Sequence, residues 1–95
     1  IPVRDTLKRV IAAQDIQETV DRSQLWQAQT PQIAKLGVLK KAIEYALEAQ
    51  ALITDEASAL EFVGEKVQVV QGRSDNIKIT YPDDLELVRL ILAAQ

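Results

Sequence analysis

The chain has 95 residues and a mass of 10.6 kDa, enough for one domain or part of one and too little for two independent cores. Hydrophobic residues make up 47% and charged residues 26%, and no apolar run approaches the ~20 residues of a bilayer crossing, so a disordered tail and a helical membrane span are both excluded. Cys and His are absent, which removes a disulfide scaffold, a zinc finger, a His-based triad and a thiol nucleophile. Any chemistry must therefore come from carboxylates, hydroxyls, Lys and Arg, and the expected setting is the cytoplasm.

The net charge of -3 gives no general basic face for nucleic acid. It is unevenly spread: residues 1–41 hold seven Lys and Arg against four Asp and Glu, residues 42–95 four against ten. An anion site in the second part must be made by a few cations held in place. The opening run Ile1-Pro2-Val3-Arg4-Asp5-Thr6-Leu7 reads as the middle of a domain, so a piece of a longer protein is expected.

In chain order, residues 3–10 and 16–22 alternate loosely and are rich in β-branched types, with Ala12-Ala13-Gln14-Asp15 between them. This predicts a hairpin whose turn lacks the usual Asn-Gly or Asp-Gly signal. Two strands alone are marginal in water, so the hairpin should lie against something else. Leu36, Leu39, Ile43, Ala46 and Leu47 share one stripe, with Lys40, Lys41, Glu44 and Glu48 opposite, which predicts a surface helix of about four turns.

A second helix is expected at about 55–63, capped by Thr54 or Asp55 and stopped by Gly64. The capping-box match Ser58-Ala59-Leu60-Glu61 falls inside that helix and is set aside. Val67–Val70 and Asn76–Thr80 read as two short strands around a turn at Gln71–Asp75, with Ile77 and Ile79 on one face and Asn76, Lys78 and Thr80 on the other. Pro82 opens a final helix to about Ala94, with Asp83 and Asp84 at its positive end. Its apolar surface, from Leu85 to Leu92, is too wide for a helix on a small monomer. The order predicts a layered α/β domain.

The residues offer few chemical signals on their own. Lys78 is either a solvated lysine on an open strand face or a point charge for a phosphate. Arg22, beside Asp21, is either a surface pair of little worth or a fork for a phosphate. Thr54 is most simply a cap and Thr30 a turn residue before proline, although hydroxyls and amides at helix starts also bind phosphate. Arg73 in its turn reads as exposed. The pairs Asp55-Glu56 and Asp83-Asp84 fit helix-start electrostatics, not acid–base catalysis or a metal site. Gly37, Gly64 and Gly72 are isolated, so no glycine-rich loop cradles a triphosphate.

Several segments taken together resemble the 2-C-methyl-D-erythritol 4-phosphate cytidylyltransferases. They are Pro2–Arg9, the run Asp21-Arg22-Ser23-Gln24-Leu25-Trp26-Gln27-Ala28-Gln29-Thr30-Pro31-Gln32, the run Thr54–Glu61, and Gly72–Thr80 with Pro82-Asp83-Asp84-Leu85. The resemblance covers essentially the whole chain in order. It implies the C-terminal half of an enzyme that transfers CMP from CTP to methylerythritol phosphate, with Mg²⁺ assisting and pyrophosphate released. The implied fold is the C-terminal part of a Rossmann-like three-layer domain, with residues 1–22 as a β-arm that interlocks in a homodimer and residues 23–95 as the substrate side.

Carried over by resemblance, Arg22 and Lys78 would position the substrate phosphate, Arg22 reaching the neighbouring subunit. Thr6, Thr30 and Thr54 would line the methylerythritol phosphate pocket. The CTP loop and the Mg²⁺-binding aspartate would lie in the N-terminal half, outside this chain, so the chain alone is expected to be inactive. Ala34, Gln24 and Gln50 stand where the family often has an aromatic and two glycines, departures that touch packing and turns. The alternatives are a pentitol phosphate cytidylyltransferase such as the ribitol phosphate enzyme, which shares Gln29–Gln32 and Asn76–Thr80, and a non-catalytic dimerisation fragment.

Overall fold

The computed structural model describes residues 1–95. Two strands and three α-helices form, β1 (Leu7–Val10), β2 (Ile16–Val20), α1 (Leu36–Glu48), α2 (Glu56–Phe62) and α3 (Pro82–Ala93), with a short 3-10 turn at Ala12–Gln14 between the strands. The chain divides into two compact units, one made of residues 1–29 with 71–95 and the other of residues 30–70.

In the first unit β1 and β2 pair antiparallel, Leu7 opposite Val20 and Arg9 opposite Glu18, but Val10 opposite Ile16. Gln17 is thus an extra residue, a bulge that twists the ribbon near its tip. Charged and polar cross-strand pairs hold both faces: Lys8 Nζ donates to Thr19 Oγ1 at 2.6 Å, and Arg9 Nε to Glu18 Oε1 at 2.8 Å. Ala13 and Gln14 both adopt φ of 64°, and the Ile11 N–H closes the turn on the Asp15 carbonyl at 2.9 Å. Left-handed backbone at both central positions is the geometry of the tight hairpin turns that match strand twist. Here it is reached without the Asn-Gly pair that favours it.

The ladder is shorter than the sequence pattern predicts. After Val20 the Asp21 carboxylate accepts the Ser23 N–H at 2.9 Å, and the Leu25 N–H turns back to the Arg22 carbonyl at 3.1 Å. That turn lifts the chain out of register. Pairing resumes around Pro2 and Trp26, where Val3 N–H donates to the Leu25 carbonyl at 3.0 Å and Gln27 N–H to the Ile1 carbonyl at 2.7 Å.

Helix α3 begins at Pro82, whose missing N–H costs nothing there. The Asp84 carboxylate reaches back to accept the N–H groups of Thr80 and Tyr81, each at 2.9 Å. Those two bonds hold its pKa below the ordinary value. No residue of α3 is fully buried, and Leu85, Leu87, Leu90 and Leu92 are all exposed. The broad apolar surface read from the sequence is present and uncovered.

In the second unit α1 packs on α2 through small side chains. Ala42 and Ala59 are buried with Leu60, flanked by Ala34, Leu39, Ile43 and Ile53; Ala46 is also fully buried. The seam therefore runs along positions 39, 42, 43 and 46, narrower than expected. Leu36 and Leu47 stand outside it at 81% and 64% exposure.

Helix α2 starts on Asp55, which settles the choice between Thr54 and Asp55. Asp55 Oδ1 accepts the Ser58 N–H at 2.8 Å, while the Ser58 hydroxyl accepts the Asp55 N–H at 3.1 Å. Ser58 thus belongs to a capping box as its third residue. The helix ends as predicted at Gly64, with φ of 80°; Gly64 N–H donates to Glu61 and Glu65 N–H to Leu60, each at 3.0 Å. That pair of bonds is the Schellman closure. Helix α1 closes in the same way, Gln50 N–H to Leu47 at 3.1 Å and Ala51 N–H to Ala46 at 2.9 Å, but its left-handed residue is Gln50 at φ of 55°.

The two expected strands at 67–70 and 76–80 do not form. A strand exists only through a ladder, and neither segment finds a partner edge within these residues. Val69 and Val70 are instead 66% and 89% exposed. The sheet has two strands only, so the layered α/β arrangement is not completed by these 95 residues.

Candidate functional site

Lys78 lies on the first unit, between two anchored stretches of backbone. Ahead of it, Arg73 to Asn76 form a turn in which the Asn76 N–H donates to the Arg73 carbonyl at 3.2 Å. Arg73, expected simply to face solvent, is exposed but forks onto Asp75, Nε to Oδ1 at 2.9 Å and Nη2 to Oδ2 at 2.8 Å. Those two bonds hold the Asp75 carboxyl below its ordinary range. The Gln29 side-chain amide then donates to the carbonyls of Arg73 at 2.9 Å and Asn76 at 3.2 Å.

Behind Lys78, Thr80 and Tyr81 are held by Asp84. Ile77 is half-buried and Lys78 exposed, but Ile79, expected on the same face as Ile77, is itself 53% exposed, so without the ladder the predicted alternation is kept only at Ile77. Lys78 presents its ammonium from a segment fixed on both sides.

Arg22 stands at the turn that ends the ribbon's paired region. Its Nη1 donates to the carbonyls of Val3, at 3.4 Å, and Arg4. The guanidinium thus crosses to the opposing stretch of chain that leads into Thr6 and β1. Thr6 is exposed in the unpaired residues before Leu7. No hydrogen bond links Arg22 or Thr6 to Lys78 within the chain, although all three lie on the same unit.

Thr30 and Thr54 belong to the second unit. Thr30 precedes a cis Pro31, and Gln32 just beyond it organises the start of α2. Gln32 Nε2 donates to Asp55 Oδ2 at 2.9 Å, while its Oε1 accepts the Ala57 N–H at 3.0 Å. The Thr54 N–H is taken by the Ser58 hydroxyl at 3.0 Å. Gln32, and after it the Ser58 N–H, lower the Asp55 pKa. These bonds fix the backbone of Thr54 and leave the cap to Asp55.

Nowhere do three or more acidic side chains converge as a metal site would need. Asp55 and Asp84 serve helix starts, as the sequence suggested, and Asp75 serves Arg73. A depression of about 330 Å³ lined by Tyr45, Phe62 and Val63 contains no charged group and none of the predicted site residues.

Sequence reasoning missed Gln29 and Gln32, each of which clamps backbone with a side-chain amide. A glutamine carries no periodic signal. The one clue was their placement on either side of Thr30-Pro31, where neither helix nor strand supplies backbone partners.

Comparison with known proteins bears on what this arrangement is for. The family model described as IspD, 2-C-methyl-D-erythritol 4-phosphate cytidylyltransferase, matches residues 1–94. This chain belongs to that family. A cytidylyltransferase of this name from Acinetobacter baumannii (strain SDF) is 74% identical over all 95 residues, and one from Pseudomonas fluorescens (strain SBW25) is 56% identical over 90. The chain spans about 40% of the length of these family members.

Among solved structures, a 4-diphosphocytidyl-2C-methyl-D-erythritol synthase superposes with a TM-score of 0.82 at 49% identity, over 97% of this chain and 40% of that one. The cytidylyltransferase of this name from Thermus thermophilus gives 0.87 at 30% identity, over 98% of this chain and 46% of that one. The fold of these residues is therefore that of the corresponding part of the family's enzymes.

Proposed function

We propose that the protein carrying this chain transfers CMP from CTP to 2-C-methyl-D-erythritol 4-phosphate, releasing pyrophosphate, in the non-mevalonate route to isoprenoids. The observation that carries this reading is the family match along the chain, residues 1–94, with a relative of that name 74% identical over the whole chain. The reaction forms a bond between a substrate phosphate oxygen and the α-phosphorus of CTP and breaks the bond to pyrophosphate. Such chemistry depends on positioning and charge stabilisation, for which fixed cations suffice without His or Cys.

In this reading Lys78 holds the substrate phosphate as a point charge, on a backbone anchored at both sides. Arg22 forks onto the same phosphate from a second subunit, carried there by the β1–β2 ribbon acting as a dimer arm. Thr6, Thr30 and Thr54 line the polyol phosphate pocket. The complete domain is Rossmann-like and three-layered, and the uncovered flank of α3 packs inside it.

The residues of this chain do not themselves fit a Mg²⁺ site, because no three of their carboxylates converge and Asp55, Asp84 and Asp75 are held by helix starts and by Arg73. The ion and the CTP loop belong to the remaining length of the enzyme, and the 95 residues alone are inactive. No nucleic acid or membrane enters the reaction.

Steady-state kinetics of the full-length enzyme test the reading. Turnover with methylerythritol phosphate should exceed that with ribitol 5-phosphate, and Arg22→Ala and Lys78→Ala should each lower kcat/KM by about 100-fold while the dimer stays folded. Preference for ribitol phosphate would replace the substrate, and wild-type kcat/KM in a variant would remove that residue from the site.

A further inference from the structure

We infer that Gln29 and Gly72 act together as a positioning pair for Lys78, an inference that rests on the proposed phosphate-holding role of Lys78. All the residues concerned lie on one compact unit. The half-buried Gln29 donates one amide group to two carbonyls, Arg73 at 2.9 Å and Asn76 at 3.2 Å, which bracket the turn. The second of those carbonyls is only two residues before Lys78. A single side chain therefore fixes the direction in which the chain leaves the turn toward the lysine.

Gly72 completes the device by its size. A Cβ at Gly72 would overlap Oε1 of Gln29 and come within 3.6 Å of its Cδ. The backbone of Gly72 is not in the left-handed region, so the requirement for glycine here is space and not conformation. The group in the way is the end of a flexible side chain, so a methyl at position 72 displaces the Gln29 amide and leaves the backbone in place. Adding an atom at 72 and removing the amide at 29 are thus two routes to one defect, a turn that has lost its Gln29 clamp ahead of Lys78.

Beyond the turn, Asp84 holds Thr80 and Tyr81 at 2.9 Å each and is untouched by either change. The lysine would then be held less firmly on the side of the turn than on the side of Asp84. Its ammonium would sample more positions, and binding of the substrate phosphate would weaken while CTP binding stayed the same.

The test is steady-state kinetics on the full-length enzyme for Gln29→Ala, Gly72→Ala, their double variant and Lys78→Ala, with both substrates varied and thermal unfolding followed. The inference expects KM for methylerythritol phosphate to rise about fivefold in each of the first two, as one lost net hydrogen bond allows, with KM for CTP unchanged. The double variant should be no worse than Gln29→Ala, because the methyl at 72 acts through the amide already removed. A merely structural role would lower the active fraction, and so kcat, without moving either KM.

A raised KM in Lys78→Ala with an unaltered KM in Gln29→Ala or Gly72→Ala overturns this inference alone, as does strict additivity in the double variant. An unaltered KM in Lys78→Ala overturns the reading beneath it. If Gln29→Ala fails to fold, Gly72→Ala decides by the same criterion.

Discussion

The Asp55 carboxylate accepts the Ser58 N–H at 2.8 Å, and the Ser58 hydroxyl accepts the Asp55 N–H in return at 3.1 Å. A third residue joins them, since the other Asp55 oxygen accepts the Gln32 amide at 2.9 Å. Asp55→Ala removes the cap and strands the Gln32 donor. It should destabilise the protein by about 1 kcal/mol, read by urea unfolding. Asp55→Asn, which can still cap, should cost less, and equal losses in the two variants would contradict the assignment.

The same carboxylate gives a pH dependence with a definite sign. Asp55 and Asp84 both have folded-state pKa values below the ordinary 3.8, Asp55 through Gln32 first and Asp84 through the Tyr81 N–H first. A lowered folded value means that the unfolded chain binds protons more readily. Their contribution is therefore present above 3.8 and is lost as pH falls through the lower folded values. Carboxyl-detected NMR titration should find both midpoints below 3.8, and Asp55→Asn should flatten the acid limb of the stability curve. A midpoint above 3.8 for either residue would sink this account.

The ribbon tip should be improvable. Ala13 and Gln14 each hold φ of 64° with a side chain that disfavours it. The double change Ala13→Asn with Gln14→Gly supplies the residues that this turn prefers and should stabilise the ribbon by about 1 kcal/mol. Slower amide exchange at Val10 and Ile16 is the readout, and faster exchange would mean that the turn geometry is misread.

The two helix ends of the second unit predict opposite effects of exchanging glycine. Gly64→Ala places a Cβ at φ of 80° and should cost about 1 kcal/mol, whereas Gln50→Gly relieves a residue at φ of 55° and should be neutral to stabilising by a similar amount. Midpoints of chemical unfolding for the two variants should move in opposite directions. Movement in the same direction would mean that one of the two closures lacks its left-handed residue.

What could be read in advance followed from how local each signal is. Helices α1, α2 and α3 were legible because spacing, Pro82, Asp55 and Gly64 act within a few residues of one another. The strands at 67–70 and 76–80 were not, because alternation tells only that a segment suits a sheet, while the sheet itself must supply the other edge. The bulge at Gln17 and the narrow seam through Ala42 and Ala59 depend on the partner element in the same way.

The site was legible to the same extent. Lys78 and Arg22 were selected by resemblance, not by pattern, since an isolated cation has no period. The cap at Asp55 was one of two candidates until the Ser58 bonds chose between them. Gln29 stayed invisible because its effect lies 44 residues away along the chain, on the Arg73 carbonyl.

The twelve residues of α3 have capped ends and no buried side chain. A helix of that length holds only marginally by itself in water, so its lifetime is set by whatever shields Leu87 and Leu90. Opening and closing of this last segment should accordingly act as a clock for docking: deuterium uptake there would be rapid when that flank is wet and slow when it is dry, while the Ala42–Ala59 seam, which carries its own contacts, would keep the same protection in both conditions.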